Sequence, residues 1–334
     1  MHRRALLAAI GTASAGCLST SSQNNPSSQT TTGHPSTGTG TPIPTAEHTR
    51  PSCGSSTKEQ AESPESPPEN LEYELTQLSV STATDRPSVK YILEPASFYS
   101  KDAVAREEER TSEKLTVVPI SEVKSPEVRD AIETAILSGA WESNTLPDGL
   151  AETVERVDFF TGVSKDDTYT HVGVTLHRLN PNAPPAVEFD AYIADQFVAQ
   201  ESPGAIVFTL INRSSQPQEI FSGTVPPFGM LYANSESSGE SRFLLWREYE
   251  KEGCFRYTED GWTRCDIGKM TRLEPCESIS RRYEILPNST THYPEETVPS
   301  SSGSYQTSGS ISYSLGGGSP SSELSFEVSF QLER

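Results

Sequence analysis

The chain has 334 residues, with 26 Lys and Arg against 46 Asp and Glu, a formal net charge of −20 and 33% apolar residues. That length accommodates two modest domains and terminal segments. The large negative charge repels phosphate groups, so neither nucleic acid nor an anionic lipid surface is an expected partner. The longest apolar run lies at the N-terminus and is too short to cross a bilayer, so we expect no membrane-spanning helix.

Residues 1–17 have the features of an export signal. Arg3 and Arg4 precede a run of small and apolar residues at 5–15. This run has the length of a signal-peptide core and falls short of the ~20 residues that a spanning helix needs. Paired arginines at this position predict twin-arginine export. Small residues then lead into Cys17, a pattern that resembles a lipobox and implies lipid attachment through the cysteine sulfur. The alternative is a plain cleaved signal in which this cysteine occurs by chance.

Residues 18–70 have the composition of a stalk. Ser, Thr, Pro and Gly fill 33 of these 53 positions, and no residue of the segment is aromatic. Such a segment cannot bury enough apolar surface to offset the entropy lost on ordering. We therefore predict a disordered tether that lifts a folded body off the membrane.

The acidity of the chain is typical of proteins that work in concentrated salt. Only 8 of the 26 basic residues are lysine, and at 1 M salt a Debye length of about 3 Å screens the repulsion among carboxylates. An ordinary acidic exported domain is the alternative. Together with the paired arginines, the lipobox and the stalk, this composition resembles that of exported haloarchaeal lipoproteins. The resemblance implies a position on the outer face of the cell membrane, held there by lipid on Cys17.

Residues 71–200 predict a small α+β domain. Alternating apolar and polar residues at 71–80 and 186–193 indicate half-buried strands. The sequence Ser125-Pro126-Glu127 is typical of a helix start, with a capping serine and a proline in the first turn. Gly139 marks the end of that helix.

Residues 201–334 predict an all-β, immunoglobulin-like sandwich. Short strands recur between turn residues, and no convincing helix is found. A hydrophobic strand at 206–211 that ends in Asn212, followed later by the turn at 274–278, is similar to exported domains of the BsuPI-like proteinase-inhibitor type. Those domains carry glycine in the turn where this chain has Cys276. The resemblance implies a binding module.

Four cysteines remain once Cys17 is assigned to lipid, and four cysteines allow three pairings. Export favours disulfides, and Cys254 and Cys265 flank a predicted hairpin tip, so we predict a bridge between them. Cys53 and Cys276 would form the second bridge and tie the end of the stalk to the sandwich. A zinc site is the competing interpretation, but zinc ligands come in closer pairs than these spacings provide.

Two positions carry the Asn-x-Ser/Thr sequence of N-glycosylation acceptors, Asn212 (Asn-Arg-Ser) and Asn288 (Asn-Ser-Thr). Such a sequon has meaning on an exported protein and is also common by chance. Both residues are therefore candidates.

Neither a catalytic constellation nor a cofactor or metal site is predicted. The sequence lacks the nucleophile-elbow, zinc-protease, phosphate-loop and dinucleotide signatures. The Ser-x-x-Lys match at 121–124 precedes a helix instead of lying within it. His171 and His177 face the same side of one predicted strand, but their separation of about 20 Å is too large for a single ion. The turn at Asp166-Asp167 is a further candidate, for Ca²⁺.

Aromatic residues are concentrated between Phe228 and Trp262. Most of them are expected in the core, but Tyr257 and Trp262 lie in the predicted hairpin loop, where burial is harder, and are the candidate binding residues. We therefore expect a lipid-anchored, non-catalytic surface protein that binds an unidentified protein or cell-surface partner. The alternative is a solute-binding or proteinase-inhibitor-like module, and the third interpretation is a hydrolase built from scattered carboxylates.

Overall fold

The structure, a computed structural model, describes Cys53 and the ranges 66–163, 168–200, 202–223, 225–237, 241–252, 255–258, 261–265, 268–288, 298–316 and 318–334. The export signal, Cys17, most of the stalk and the Asp166-Asp167 turn lie outside the described residues. No described helix combines the length and the apolar character needed to span a bilayer.

The described part of the chain is predominantly β-sheet. Its strands, numbered in chain order, are β1 Leu71–Asp85, β2 Tyr91–Tyr99, β3 Val117–Pro119, β4 Trp141–Ser143, β5 Phe159–Thr161, β6 His171–Arg178, β7 Val187–Asp195, β8 Phe197–Ala199, β9 Gly204–Asn212, β10 Gln218–Ser222, β11 Tyr232–Ser235, β12 Arg242–Leu244, β13 Phe255–Thr258, β14 Gly261–Arg264, β15 Lys269–Leu273, β16 Ser278–Ile285, β17 Gly303–Ser314 and β18 Ser322–Glu333. Its α-helices are α1 Lys101–Thr111, α2 Pro126–Ser138 and α3 Leu150–Arg156, and 3-10 turns occur at Ile120–Glu122 and Tyr249–Glu252.

Two sheets enclose the main hydrophobic core. Among the described residues, one sheet joins eight strands, in the order β12-β11-β17-β18-β1-β8, with β10 beside β17 and β15 beside β10. The other has the order β16-β9-β7. Both sheets contribute to one core, in which Phe189 and Phe326 stack with ring centroids 4.4 Å apart. Phe208 and Phe228 pack edge-on against both rings, so the core is fixed by interlocking aromatic contacts.

Residues 91–178 form a second structural layer, which we call the inserted unit because it lies between β1 and β7 in the chain. Its sheet has the order β3-β5-β6-β2-β4, in which only β3 and β5 run parallel. Helices α2 and α3 pack on one face of that sheet and share a separate core, represented by Ile132, Leu150 and Phe160, all fully buried.

Helix α2 confirms the sequence prediction at both ends. The Ser125 hydroxyl accepts a hydrogen bond from the Val128 N–H, and Pro126 occupies the first turn. Gly139 closes the helix with φ +96°, and its N–H donates to the Ala135 carbonyl. Local capping signals therefore sufficed to place this element.

The structure distributes the elements differently from the predicted division between 71–200 and 201–334. β1 pairs along its length with β18, and β7 pairs with β9. Both β1 and β7 therefore belong to the two-sheet body, whose core includes Tyr73 and Val187. The α+β character predicted for 71–200 is found in the inserted unit alone, because strand patterning shows that a strand exists but not which strand it pairs with.

Candidate functional site

The hairpin of β13 and β14 carries both predicted binding residues. Tyr257 on β13 lies directly opposite Trp262 on β14, and their ring centroids are 5.2 Å apart. Gly261 opens β14 with φ +103°, a conformation that glycine adopts without strain from a Cβ atom. The two residues at the turn lie outside the described part of the chain. The predicted hairpin around residues 257–262 is therefore present.

Buried aromatic rings support the hairpin from below. The Trp262 ring lies 5.9 Å, centroid to centroid, from those of both Trp246 and Tyr249. Tyr249 is completely buried, and its hydroxyl donates a 2.7 Å hydrogen bond to the Leu245 carbonyl. Burial also raises the pKa of Tyr249 well above its ordinary value, so the phenol stays neutral. Trp262 thus links the hairpin to the main core.

Exposure increases outward along this aromatic row. Trp246 is 6% exposed, Trp262 is half-buried and Tyr257 is 45% exposed. The Trp262 Nε1 is buried and makes no hydrogen bond to the described atoms, so ring packing holds the indole in place. The hairpin therefore presents one tyrosine face to solvent on a preformed aromatic support.

The hairpin lies in a stretch of unusual charge balance. Residues 242–282 hold 9 of the chain's 26 basic residues and 8 of its 46 acidic residues. Arg256, next to Tyr257, is exposed. A segment that is nearly neutral within a strongly acidic chain lowers the repulsion felt by an acidic partner that approaches it.

A second group of polar side chains lies on the face of the inserted sheet opposite α2. Glu94 Oε2 lies 3.6 Å from His177 Nε2. Burial raises the pKa of Glu94, and the neighbouring Glu142 carboxylate raises it further. Burial lowers the pKa of His177. Both shifts disfavour the charged forms, and the two side chains are partly buried, with His177 11% and Glu94 32% exposed.

His171 and His177 both lie on β6 and share a face, as the sequence predicted. Burial, aided by Lys101, lowers the pKa of His171 as well. Within the described ranges, no three His, Cys, Asp or Glu side chains are placed to hold a metal ion.

The Asn212 side chain joins two motifs that are far apart in sequence. Its Nδ2 donates to the carbonyls of Gln216 (2.8 Å) and Leu273 (3.0 Å). The backbone carbonyl of Asn212 accepts a hydrogen bond from the Cys276 N–H at 2.9 Å. Cys276 has φ +64°, which is the conformation that favours glycine. The strand-ending asparagine and the later turn therefore form one structural element, in which cysteine occupies a position that suits glycine.

One of the two predicted disulfides is described. Cys53 and Cys276 are bonded, with Cα atoms 5.2 Å apart and a sequence separation of 223. This confirms the predicted link between the end of the stalk and the β-sheet body. Cys265 is also disulfide-bonded, but Cys254, its predicted partner, lies outside the described residues.

Residues 160–326, half of the chain, match a family described as a domain of unknown function, DUF8130. The chain belongs to this family. The DUF8130 match begins in β5, ends in β18 and includes the hairpin, Asn212 and Cys276. It leaves out β1, although β1 lies between β18 and β8 in the large sheet. No curated protein matches the chain.

Within the DUF8130 segment, the two sequons have opposite environments. Asn212 is fully buried, and both Nδ2 hydrogens are donated inside the body. Asn288 is exposed. Sequence reasoning detected the sequon at Asn212 but missed its structural role, which depends on Leu273 and becomes visible only when β9 and β15 are brought together.

Sequence reasoning also missed the pairing of Glu94 with His177. The two residues lie on neighbouring strands of the inserted sheet, β2 and β6, separated in sequence by three α-helices. Glu94 shows no sequence signal of its own, because it lies in a strand with a mixture of polar and apolar residues.

Proposed function

We propose that this protein is an exported, lipid-anchored binding protein. In this proposal, Arg3 and Arg4 direct export, lipid on Cys17 holds the protein at the outer face of a haloarchaeal cell membrane, and the body is an immunoglobulin-like sandwich. Its β13–β14 hairpin binds a protein or cell-surface partner.

The observation that carries the binding proposal is the environment of Tyr257. Its ring is 45% exposed, yet it packs 5.2 Å from Trp262, which itself rests on the core. Binding through a loosely held side chain costs entropy when that side chain is ordered. Tyr257 is already ordered by its contact with Trp262, so little side-chain entropy is lost when a partner binds this amphipathic residue.

The salt in which such a protein works favours aromatic recognition. At molar salt the Debye length is about 3 Å, so pairs of surface charges contribute little. Burial of apolar surface is not screened in this way and is strengthened by excluded salts. An aromatic anchor therefore suits a partner with an apolar or aromatic contact patch.

The disulfides support the export part of the proposal. Cys53–Cys276 is formed and Cys265 is disulfide-bonded. Disulfides persist in oxidising surroundings and are rare in the reducing cytosol. Cys276 has the left-handed backbone conformation that favours glycine. This conformation supports the resemblance of its turn to the glycine-bearing turn of BsuPI-like domains.

The test is affinity capture from the membrane fraction at multimolar salt, with wild-type protein and two tyrosine variants. Tyr257→Ala removes the proposed anchor. Tyr169→Ala is the matched control, because Tyr169 is equally exposed, at 47%, but lies in the inserted unit. We expect Tyr257→Ala to weaken capture by roughly 30-fold, the equivalent of a 2 kcal/mol hot spot, and Tyr169→Ala to leave it unchanged.

Equal capture by wild type and Tyr257→Ala would refute the hairpin as the binding surface. Mass spectrometry of the same samples tests the anchor, since Cys17 must carry lipid and Cys17→Ser must release the protein from the membrane fraction. Lipidated protein recovered without a partner would favour the solute-binding alternative. A ligand panel that raises the midpoint of thermal unfolding would then identify that alternative.

A further inference from the structure

Two exposed apolar side chains lie next to each other on the outer face of the large sheet. Phe221 on β10 is directly opposite Met270 on β15, and they are 49% and 55% exposed. Ile220, the neighbour of Phe221 in β10, is 1% exposed, so alternation along the strand turns Phe221 away from the core. We call Phe221 and Met270 the outer pair. We propose that the outer pair docks the body onto a lipid surface, and this proposal rests on the lipid anchor of the proposed function.

The Phe221 ring is held in place by the backbone beneath it. A Cβ atom added at Gly268 would lie 2.3 Å from this ring, so the ring lies directly over the glycine, two residues before Met270. On the other side of Phe221, Ser312 of β17 lies opposite it, and the short serine side chain leaves the ring exposed. An apolar ring that is already ordered loses little side-chain entropy when it enters the headgroup boundary of a bilayer.

The charges around the outer pair are balanced. Lys269 and Arg272 on β15 are exposed and carry positive charge. Arg272 pairs with Glu274 at 2.8 Å and lies opposite Glu219. These two cations and two carboxylates cancel, in a chain whose formal net charge is −20. The repulsion between the acidic chain and phosphate headgroups is therefore low at this patch, and at molar salt the remaining repulsion is screened beyond about 3 Å.

The covalent path from the proposed anchor ends close to the outer pair. The disulfide joins Cys53 to Cys276, and Cys276 follows Met270 by six positions, so at most about 20 Å of chain separates them. Cys53 lies 36 positions after Cys17, and a random coil of that length has an end-to-end distance of about 35 Å. Tethering over this distance raises the effective concentration of lipid at the patch, so that a weak contact is sufficient. A partner in solution has no such advantage here.

The experiment uses the purified full chain with its disulfides intact, coupled through the Cys17 sulfur to a maleimide-headgroup lipid in phosphatidylcholine vesicles at multimolar salt. Phe221→Trp places a fluorescent reporter in the outer pair. Phe98→Trp is the matched control, because Phe98 is 50% exposed but lies in the inserted unit. Bromine atoms on the acyl chains quench tryptophan on contact. We expect roughly a twofold loss of the added emission for Phe221→Trp, since interfacial side chains reach about 5–10 Å into the bilayer surface, and no loss for Phe98→Trp.

A second substitution tests whether the outer pair itself makes the contact. Met270→Asp in the Phe221→Trp protein should restore the emission, because a carboxylate resists transfer out of water. Leu137→Asp, at an exposed position of α2, should leave the quenching unchanged.

Equal quenching of both reporters, or none at residue 221, would overturn the proposal. A mass that doubles with concentration and returns to that of one chain in Met270→Asp would also overturn it, because the outer pair would then bind a second copy of the chain. The synthetic tether makes the result independent of lipidation in the cell. Quenching at residue 221 together with unlipidated Cys17 in native protein would support the contact with lipid and count against the anchor of the proposed function.

Discussion

Glu94 Oε2 lies 3.6 Å from His177 Nε2 across neighbouring strands of the inserted sheet. The distance is longer than that of a good charge-assisted hydrogen bond. Burial disfavours the charged form of each group, and Glu142 adds a repulsive charge to Glu94. The pair therefore links the stability of the inserted unit to pH.

Acidification should destabilise the protein through His177. Burial holds the folded-state pKa of His177 below its ordinary value of 6.5, so the unfolded chain takes up this proton first. The free energy of unfolding should therefore fall as the pH drops through about 6.5. Glu94 has the opposite sign: its pKa is raised from 4.5, so its contribution is greatest below that value and is lost as the pH rises through the folded-state pKa.

His177→Gln should reduce the loss of stability between about pH 7 and about pH 5.5, because glutamine does not titrate. Urea denaturation of both proteins over this range measures the effect. His171 also has a lowered pKa, so the double variant with His171→Gln should flatten the profile further. Identical slopes for wild type and His177→Gln would show that His177 does not sense pH.

Of the two hairpin residues, Trp262 should contribute to the stability of the fold and Tyr257 should contribute little. Trp262→Ala removes a half-buried ring that contacts Trp246 and Tyr249, and we expect a loss of about 2–3 kcal/mol, below the 3–5 kcal/mol of a fully buried ring. Tyr257→Ala should cost under about 1 kcal/mol. Trp262→Phe should recover part of the loss. Chemical denaturation followed by circular dichroism is the measurement, and equal losses at both positions would contradict the structure.

Asn212→Ala should lower the free energy of unfolding by about 2–4 kcal/mol, because it leaves the carbonyls of Gln216 and Leu273 and the groups of Ser214 without their partner. The matched control is Asn288→Ala, an exposed asparagine whose loss should cost under about 1 kcal/mol. The two midpoints of urea denaturation give the comparison directly. A small effect at Asn212 would mean that water can replace the amide inside the body.

Loss of the Cys53–Cys276 bridge should cost about 2–4 kcal/mol, since it closes a long loop in the unfolded chain. Cys53→Ser and Cys276→Ser remove the same bond, so the double variant should be no less stable than the worse single variant. Thermal unfolding under non-reducing conditions tests this. Additive losses would indicate that each cysteine acts on its own.

Gly309 should not tolerate a side chain. It lies opposite Phe326 in the β17–β18 ladder, and an added Cβ would lie 2.6 Å from the Phe326 ring. Phe326 cannot move easily because it stacks on Phe189. We expect Gly309→Ala to cost about 1–3 kcal/mol, and Ser310→Ala, at the next and exposed position, to stay within about 0.5 kcal/mol. The midpoints of thermal unfolding of the two variants test this prediction.

Local signals predicted local structure well. Ser125 and Gly139 bound α2 because caps act on the backbone groups next to them. The apolar run at 205–211 lies within β9, because a short run of apolar residues is itself a local signal for a buried strand. The alternating run at 71–80 correctly indicated a strand, but its partner, β18, lies far along the chain, and alternation carries no information on pairing. For this reason the domain boundary predicted at residue 200 does not follow the strand pairing, in which β1 pairs with β18 and β7 with β9.

The candidate site shows the same limit. The turn signal at Gly261 placed Tyr257 and Trp262 together on a hairpin. It could not show that Trp262 would rest on Tyr249, because that contact depends on how the hairpin folds back onto the main core. The same holds for Asn212, whose neighbours come from β15 and the turn that follows it.

The long ladder between β1 and β18 also fixes when the body can be completed. β1 is made early, but its partner residues in β18 lie 238 (Asp85 to Glu323) to 259 (Glu74 to Glu333) positions further along the chain. The contacts of the inserted unit lie within residues 91–178, so they can form before residues 322–333 have been made. Loop closure over this span is slow, so we expect the inserted unit to form first and the two-sheet body to close only after translation has passed residue 333. Until residues 322–333 have been made, the edge of β1 that β18 covers stays unpaired, and an unpaired strand edge can bind a wrong partner.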